Sequence, residues 1–273
     1  MSFHRLSGPT ALKKRKRLLL AACLCLLLPC LGIAALKIFI WHQARKVEAM
    51  VLAMQTIIPG VSSRDDAQRI AQRFGGTSIL PDRPCNQDQC TWEMTILWIK
   101  PGGFPHRPFW NKTFVWTTGL LDHRPFAQLG IHSWIARGWI HLQGNTVSFS
   151  GMEVYVEGKH HQWMDGGWSL YREVPEEVFK VSPTWPRSKY IVRWHHLHMG
   201  LETGEGLRSY VSLAMPLEYR RRAQELNYKC LIKSGGCSGI SELYPEAARD
   251  HQLFVDCMNE RQGKSSQECE QVF

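Results

Sequence analysis

Histidines grouped in one short segment are the first residues of this chain that could carry chemistry. The run HHLH occupies residues 195–198. Alternate side chains of a β-strand share a face, so His196 and His198 would project to the same side. Catalytic zinc sites use three protein ligands and leave one position for water. One alternative for this chain is therefore a metal-dependent hydrolase, with zinc as the candidate metal and His196, His198, His160 and His161 as candidate ligands.

The same histidines also fit the solvated face of an antiparallel strand. No carboxylate lies within residues 195–198 to orient a ligand or to act as a base, as catalytic metal sites require. The chain also contains no GxSxG, HExxH, Walker or GxGxxG motif. These features favour a protein without enzymatic activity and without a cofactor.

Tryptophan is unusually concentrated in the middle of the chain. Ten of the eleven tryptophans lie between residues 92 and 194. Exposed aromatic rings bind glycans or partner proteins by stacking and burial, whereas core packing is the other interpretation and fits Trp92 and Trp98. Segment 159–188, rich in glycine and proline, is predicted to be a long loop. The candidate binding loop contains Trp163, Trp168 and Trp185.

The nine cysteines separate into two groups. Three of them lie in an apolar segment, where thiols behave as small hydrophobic groups. The other six form an even set, which indicates a disulfide framework in an oxidising compartment. Gaps of four, six and eleven residues within close pairs fit zinc or redox motifs poorly. Among 15 conceivable pairings, neighbours are favoured: Cys85 with Cys90, Cys230 with Cys237, and Cys257 with Cys269.

An apolar segment near the N-terminus determines the predicted location. Residues 18–36 carry no charge, and the apolar character continues to Trp41. About 20 such residues cross a bilayer as a helix. The basic run at 13–17 precedes the segment, so the positive-inside rule keeps the N-terminus cytoplasmic. A cleavable signal peptide with its site at residues 32–34 is the alternative, and both interpretations place the rest of the chain outside the cytoplasm.

The net charge of +9 does not indicate a nucleic-acid-binding protein. Seven of the 33 basic residues, and no acidic residue, lie in residues 1–41, which leaves 26 basic and 24 acidic residues in 42–273. A nucleic-acid interface needs a basic face on the folded domain itself. We therefore expect the partners to be the lipid bilayer, through residues 18–41, and an envelope protein or glycan, with no nucleic acid.

Local patterns predict strands preceded and followed by helices. Residues 62–76 form an amphipathic helix capped by Ser62 or Ser63, and alternation in 90–100 predicts a strand. Segment 131–158 is predicted to be a hairpin that turns at residues 143–145, with a bulge at Gly151. Further predicted strands cover 109–118, 190–199 and 208–215, and helices follow Pro216 and Pro245.

These elements predict an α+β fold. It consists of an antiparallel sheet of about five or six strands, flanked by an N-terminal helix and two C-terminal helices, behind a single transmembrane helix. The predicted organisation is a cytoplasmic basic segment (1–17), a transmembrane signal-anchor helix (18–41), a juxtamembrane helix (42–60) and an extracytoplasmic domain (61–273).

Several segments together resemble those of uncharacterised, single-anchored bacterial exported proteins. They are the basic-flanked anchor, the helix SSRDDAQRIAQRFGG, the pair CNQDQC leading into TWEMTI, and the late segment SLAMPLEYRRRAQELNYKCLIKSGGC. The resemblance implies single-pass topology and short-range disulfides, and it supplies no catalytic residue. The leading hypothesis is an anchored periplasmic or extracellular domain that acts through interaction or structure.

Overall fold

The computed structural model of the chain describes residues 9–78, 89–98, 132–157, 163–175, 191–197, 204–233 and 236–260. The predicted strand at 109–118 lies outside these residues. The helices are α1 (Pro9–Gln55), α2 (Arg64–Arg73), α3 (Leu217–Ala223), a 3-10 helix (Tyr228–Ile232), α4 (Ile240–Leu243) and α5 (Pro245–Glu260). The strands are β1 (Thr77–Ser78), β2 (Gln89–Trp98), β3 (Trp134–Gln143), β4 (Thr146–Glu157), β5 (Trp163–Tyr171), β6 (Ile191–Leu197) and β7 (Gly204–Ser212).

The predicted α+β class is confirmed. The strands form one sheet in the order β1-β2-β3-β4-β5-β7-β6. All neighbours are antiparallel except β5 and β7, which are parallel because β6 lies outside β7 at the edge. Helices α3, α4 and α5 follow β7, so the C-terminal part of the chain is helical, as predicted.

Two compact units divide the chain, Met1–His42 and Gln43–Phe273. Helix α1 contains the segment Leu18–Gln55, which is long and apolar enough to cross a membrane and is the only such helix among the described residues. The leucines of its first half are largely exposed, from Leu18 at 71% to Leu31 at 63%. This is the property expected of a lipid-facing helix.

The core of the unit Gln43–Phe273 lies against one face of the sheet. Val47, Met50 and Met54 of α1 are fully buried in the same cluster as residues of β2, β3, β4, β5 and β7 and of the C-terminal helices. Gly138 in β3 lies beneath this helix, since a Cβ there would be 3.2 Å from Cε of Met94 and in ordinary contact with the Met54 sulfur at 3.5 Å. Residues 43–57 are thus part of the folded unit.

Helix α2 begins as its sequence predicts. Ser63 is the N-cap and forms a capping box with Asp66, since each residue's side chain accepts a hydrogen bond from the backbone N–H of the other. Ala67 and Ala71 are buried, and Ile70 and Phe74 pack against the core. These hydrogen bonds satisfy N–H groups that a helix start otherwise leaves unpaired.

Two predictions about the central strands are wrong in detail. The hairpin turns at Gly144, as predicted, but the register shift lies between His141 and Leu142, opposite Ser148, and not at Gly151. Gly151 pairs regularly and is required for another reason, because a Cβ there would lie 3.1 Å from the Trp168 carbonyl oxygen.

The second correction concerns the predicted loop at 159–188, which contains strand β5. Gly166 and Gly167 interrupt the alternation of side chains by which a strand is recognised, and their small size allows close packing. A Cβ on Gly167 would lie 2.5 Å from the Met152 carbonyl oxygen, and one on Gly166 would touch Leu243 and Tyr244. The strand could therefore not be recognised from side-chain alternation alone.

Candidate functional site

A row of charged residues crosses the sheet on the face opposite the helices. Arg137, Glu153 and Arg208 occupy successive positions of one transverse row through β3, β4, β5 and β7, with Gly167 as the β5 member. Asp165 lies in the adjacent row of the same face, two residues before Gly167. Directly opposed residues of neighbouring strands project to one side of a sheet, so residues far apart in sequence meet here.

Arg208 joins two buried carboxylates. Its guanidinium forms an ion pair with Glu153, and its Nε lies 3.6 Å from Oδ2 of Asp165. Both carboxylate side chains are 2% exposed, whereas that of Arg208 is 32% exposed. One cation therefore faces two carboxylates in a region almost without water. We call Glu153, Asp165 and Arg208 the charged triad.

Burial changes the protonation of this triad. Loss of solvent raises the pKa of Asp165 to about 7, against an ordinary value of 3.8, and a backbone hydrogen bond opposes the shift only in part. Burial also lowers the pKa of Arg208, although guanidinium keeps its proton in proteins. With a pKa of about 7, Asp165 is partly protonated at neutral pH, whereas Arg208 keeps its charge.

Tyr155 and Arg137 extend the polar region. The Arg137 guanidinium carbon lies 5.5 Å from the centre of the Tyr155 ring, and its Nε lies 3.7 Å from Oε1 of Glu93. Burial and the nearby charge of Asp165 raise the pKa of Tyr155 to about 12. The phenol therefore stays protonated and can donate a hydrogen bond at neutral pH.

The two carboxyl groups of the triad have the chemistry of an acid–base pair. The same three residues also have the chemistry of a binding site. A protonated and an ionised carboxylate side by side can transfer protons. Here Arg208 engages both groups, so neither is free to act on a substrate in this arrangement. Oδ1 of Asp165 is buried and has no hydrogen-bond partner among the described residues. The hydrogen-bonding capacity of this oxygen is therefore unused among the described residues.

Three aromatic rings form a ladder on the same face. His141, Phe149 and Tyr171 stack across β3, β4 and β5, with ring centres 5.6 and 5.3 Å apart. Thr91 Oγ1 and Nδ1 of His141 are joined by a 2.6 Å hydrogen bond. Because the rings cover one another's faces, the ladder stabilises strand pairing and offers little free surface for a sugar.

A groove lies near the β1–β2 edge of the sheet. It lies between α1, the end of α2 and strand β2, has a volume of about 520 Å³, and belongs wholly to the unit Gln43–Phe273. We call it the α1–β2 groove. Its lining residues are Gln43, Lys46, Ala49, Arg73, Phe74, Gly75, Thr95, Ile96 and Leu97.

Most of the predicted metal ligands fall outside the described residues. This applies to His198, His160 and His161. The backbone of His196 lies in β6, as the predicted strand requires, and the register places it opposite Glu205 of β7. No group of three metal-ligating residues occurs in the part of the chain that the structure describes. Zinc binding stays a prediction.

The predicted binding loop is changed by the presence of β5. Trp163 begins this strand, and Trp168 lies within it at 1% exposure, packed in the core cluster. Trp168 therefore has no ring face available to a glycan, because the core needs its apolar area. Trp185 lies outside the described residues.

One predicted disulfide is present in full. Cys230 and Cys237 are bonded, with Cα atoms 4.8 Å apart, and both residues are buried. Cys90 and Cys257 are also disulfide-bonded, while their predicted partners, Cys85 and Cys269, lie outside the described residues. Among the described cysteines the free ones are those at positions 23, 25 and 30.

Sequence reasoning missed the charged triad. Period-two alternation in β4 does place Glu153 on the same face as Tyr155, and this is a usable signal. Its partners come from β5, which was predicted to be a loop, and from β7, whose parallel pairing with β5 was not foreseen. Comparisons of the chain with protein-family models, curated proteins and solved structures found no match.

Proposed function

We propose that this chain is a single-pass, membrane-anchored protein whose unit Gln43–Phe273 lies outside the cytoplasm and acts as a binding domain. Its partner is another envelope component, a protein or a glycan, that docks on the charged face of the sheet. The observation that carries the proposal is the buried charged triad, because a purely structural sheet face would be served better by apolar residues.

The proposed location is supported by charge and by cysteine chemistry. The basic run at 13–17 precedes the apolar segment, which favours a cytoplasmic N-terminus. The Cys230–Cys237 bond and the bonded state of Cys90 and Cys257 suit an oxidising compartment. The free thiols among the described residues belong to the apolar helix, where disulfide chemistry is not expected.

The proposed binding surface is supported by the incomplete burial of charges around the triad. The side chains of Glu93 and Arg137 are 28% and 23% exposed, and that of Arg208 is 32% exposed. Trp139 lies two residues from Arg137 on the same face and is half-buried. Partly exposed arginine and tryptophan beside a desolvated polar centre are typical of protein-binding hot spots.

Protease treatment of spheroplasts tests the location. The full chain carries an epitope tag at the N-terminus and is expressed in a bacterial host. External protease should remove the unit Gln43–Phe273 and leave the tag protected. Degradation of the tag with a protected C-terminal unit would contradict the proposed orientation.

Site-specific photo-crosslinking in intact cells tests the binding surface. A photoreactive phenylalanine replaces Trp139 on the charged face, and the matched control replaces Leu253 of α5, which is 46% exposed. A discrete adduct with an envelope protein or glycan is expected from position 139 and not from 253. Equal adducts from both positions, or none from 139, would contradict the proposal.

A further inference from the structure

The α1–β2 groove combines an apolar floor with two cations at its rim. Phe74 is half-buried and Ile96 is 7% exposed, whereas the side chain of Leu97 projects to the opposite face of β2. Lys46 and Arg73 are exposed lining residues. A groove of this composition fits a ligand that has an acyl chain or other apolar part joined to an anionic group.

The groove is open because β1 is very short. Strand β1 pairs with β2 only at Glu93 and Trp92. Among the described residues, no strand continues this pairing beyond Glu93, so residues 95–97 line the gap between the sheet edge and α1. The opening thus follows from the topology.

The charge of the groove lining favours an anionic ligand. The groove lining contains two cationic side chains and no carboxylate. The Arg73 guanidinium lies 5.4 Å from the centre of the Phe74 ring, which holds the cation at the edge of the apolar floor. Arg73 also lies in the last turn of α2, where a cation offsets the negative end of the helix dipole. Both side chains are exposed, and among the described residues neither Lys46 nor Arg73 forms an ion pair with a carboxylate.

The sequence places Lys46 close to the predicted membrane segment. Lys46 follows Trp41, the end of the apolar segment, by five residues in the same helix. Basic residues that directly follow a membrane segment in sequence are attracted to anionic lipids. A lipid phosphate is therefore the anion that this position favours.

We propose that the α1–β2 groove binds an anionic phospholipid of the bilayer in which the chain is anchored. Lys46 and Arg73 contact the headgroup phosphate, and the apolar side chains of Phe74 and Ile96 receive the adjoining part of the lipid. The inference rests on the anchoring in the proposed function, but not on which side of the membrane the unit lies.

Lipid photolabelling in nanodiscs tests this proposal. The full chain is reconstituted in phosphatidylcholine containing a photoactivatable phosphatidylglycerol or, in a parallel sample, a photoactivatable phosphatidylcholine. Peptide mapping by mass spectrometry should find adducts in residues 73–75 and 95–97, formed preferentially with phosphatidylglycerol. Because nanodiscs expose both leaflets, an inverted orientation in cells would not change this result.

Charge-neutralising variants make the test specific. Each removed cation should reduce phosphatidylglycerol labelling of the groove about fivefold, so the double variant Lys46→Gln/Arg73→Gln should lose nearly all of it. The matched control is Arg69→Gln, which removes a 76% exposed cation of the same helix that does not line the groove. Unchanged thermal unfolding of all variants verifies that they are folded.

Three outcomes would overturn the proposal. They are equal labelling by both lipids, equal loss of labelling in Arg69→Gln and in the double variant, and complete suppression by excess inorganic phosphate. The last result would identify a site for free phosphate instead of a lipid. Failure of the Trp139 crosslinking with intact lipid selectivity would contradict only the binding function of the charged face.

Discussion

The two faces of the sheet differ in chemistry, although their residues alternate along the same strands. Leu207 and Arg208 are neighbours in β7, and Leu207 is fully buried in the apolar core while Arg208 joins two buried carboxylates on the other side. The helix-covered face gains stability from removing apolar area from water. The charged face has to offset the cost of desolvating three ionisable groups.

This difference underlies the proposal that the charged face serves binding. Well-packed apolar residues often replace a buried ion cluster with no loss of stability. The proposal therefore explains Glu153, Asp165 and Arg208 in the middle of the sheet by binding and not by stability. The helix-covered face, by contrast, needs only volume and apolar character.

The largest effect should come from removing the single cation of the triad. Arg208→Ala leaves two carboxylates buried without a counter-charge, and we expect a loss of about 3 to 5 kcal/mol in unfolding free energy. Urea unfolding of the full chain in detergent, followed by circular dichroism, measures it. Arg249→Ala, at a 54% exposed arginine of α5, is the control and should change little. Equal losses in the two variants would remove the distinction between the charged face and an ordinary surface.

Substitution of the neighbouring Leu207 should lower the unfolding free energy only through lost packing. Leu207→Ala creates a cavity in the apolar core and should cost about 3 kcal/mol, independently of pH. Leu217→Ala, at a 52% exposed leucine of α3, should stay within about 0.5 kcal/mol of the parent chain. The same denaturation experiment compares them. A strongly pH-dependent loss in Leu207→Ala would show that the two faces are energetically coupled.

Disulfide loss on the helix-covered side should have a smaller effect. Cys230→Ala/Cys237→Ala opens a short loop, for which we expect a loss of about 2 kcal/mol. Cys30→Ala, in the apolar helix, serves as the cysteine control. Non-reducing peptide mapping of the parent chain should recover the Cys230–Cys237 pair and also tests the predicted Cys85–Cys90 bond. Free thiols at these four positions would contradict the proposed extracytoplasmic location.

The effect that is smallest per pH unit concerns the protonation of Asp165. Its pKa is raised in the folded state to about 7 from an ordinary value of 3.8, so the unfolded chain releases this proton first. Unfolding free energy should therefore fall as pH rises from about 4 to about 7, by at most roughly 1.4 kcal/mol per pH unit. Asp165→Asn should flatten this slope while matching the parent chain below pH about 4. An unchanged slope in the variant would assign the titration to another group.

Local patterns predicted the elements whose signals lie within a few residues. The Ser63–Asp66 capping box, the alternation of β2 and the turn at Gly144 were all correct, because each depends on contacts between near neighbours. The α+β class follows from the order of such elements. Short-range pairing of Cys230 with Cys237 belongs to the same category.

The charged triad could not be predicted because it depends on register between distant strands. Glu153, Asp165 and Arg208 are brought together by the β4–β5 and β5–β7 pairings. The first pairing was hidden by Gly166 and Gly167, whose missing side chains fit close packing and not alternation. The second is parallel, with an intervening edge strand, and no local sequence signal specifies it.

One apolar replacement tests most directly whether the charged face serves binding. The variant Glu153→Leu/Asp165→Leu/Arg208→Met removes the whole triad at once, and its unfolding and its crosslinking through a photoreactive residue at position 139 are measured together. We expect stability equal to or above that of the parent chain, and loss of the partner adduct. A variant that unfolds, or one that stays folded and retains the adduct, would contradict the account.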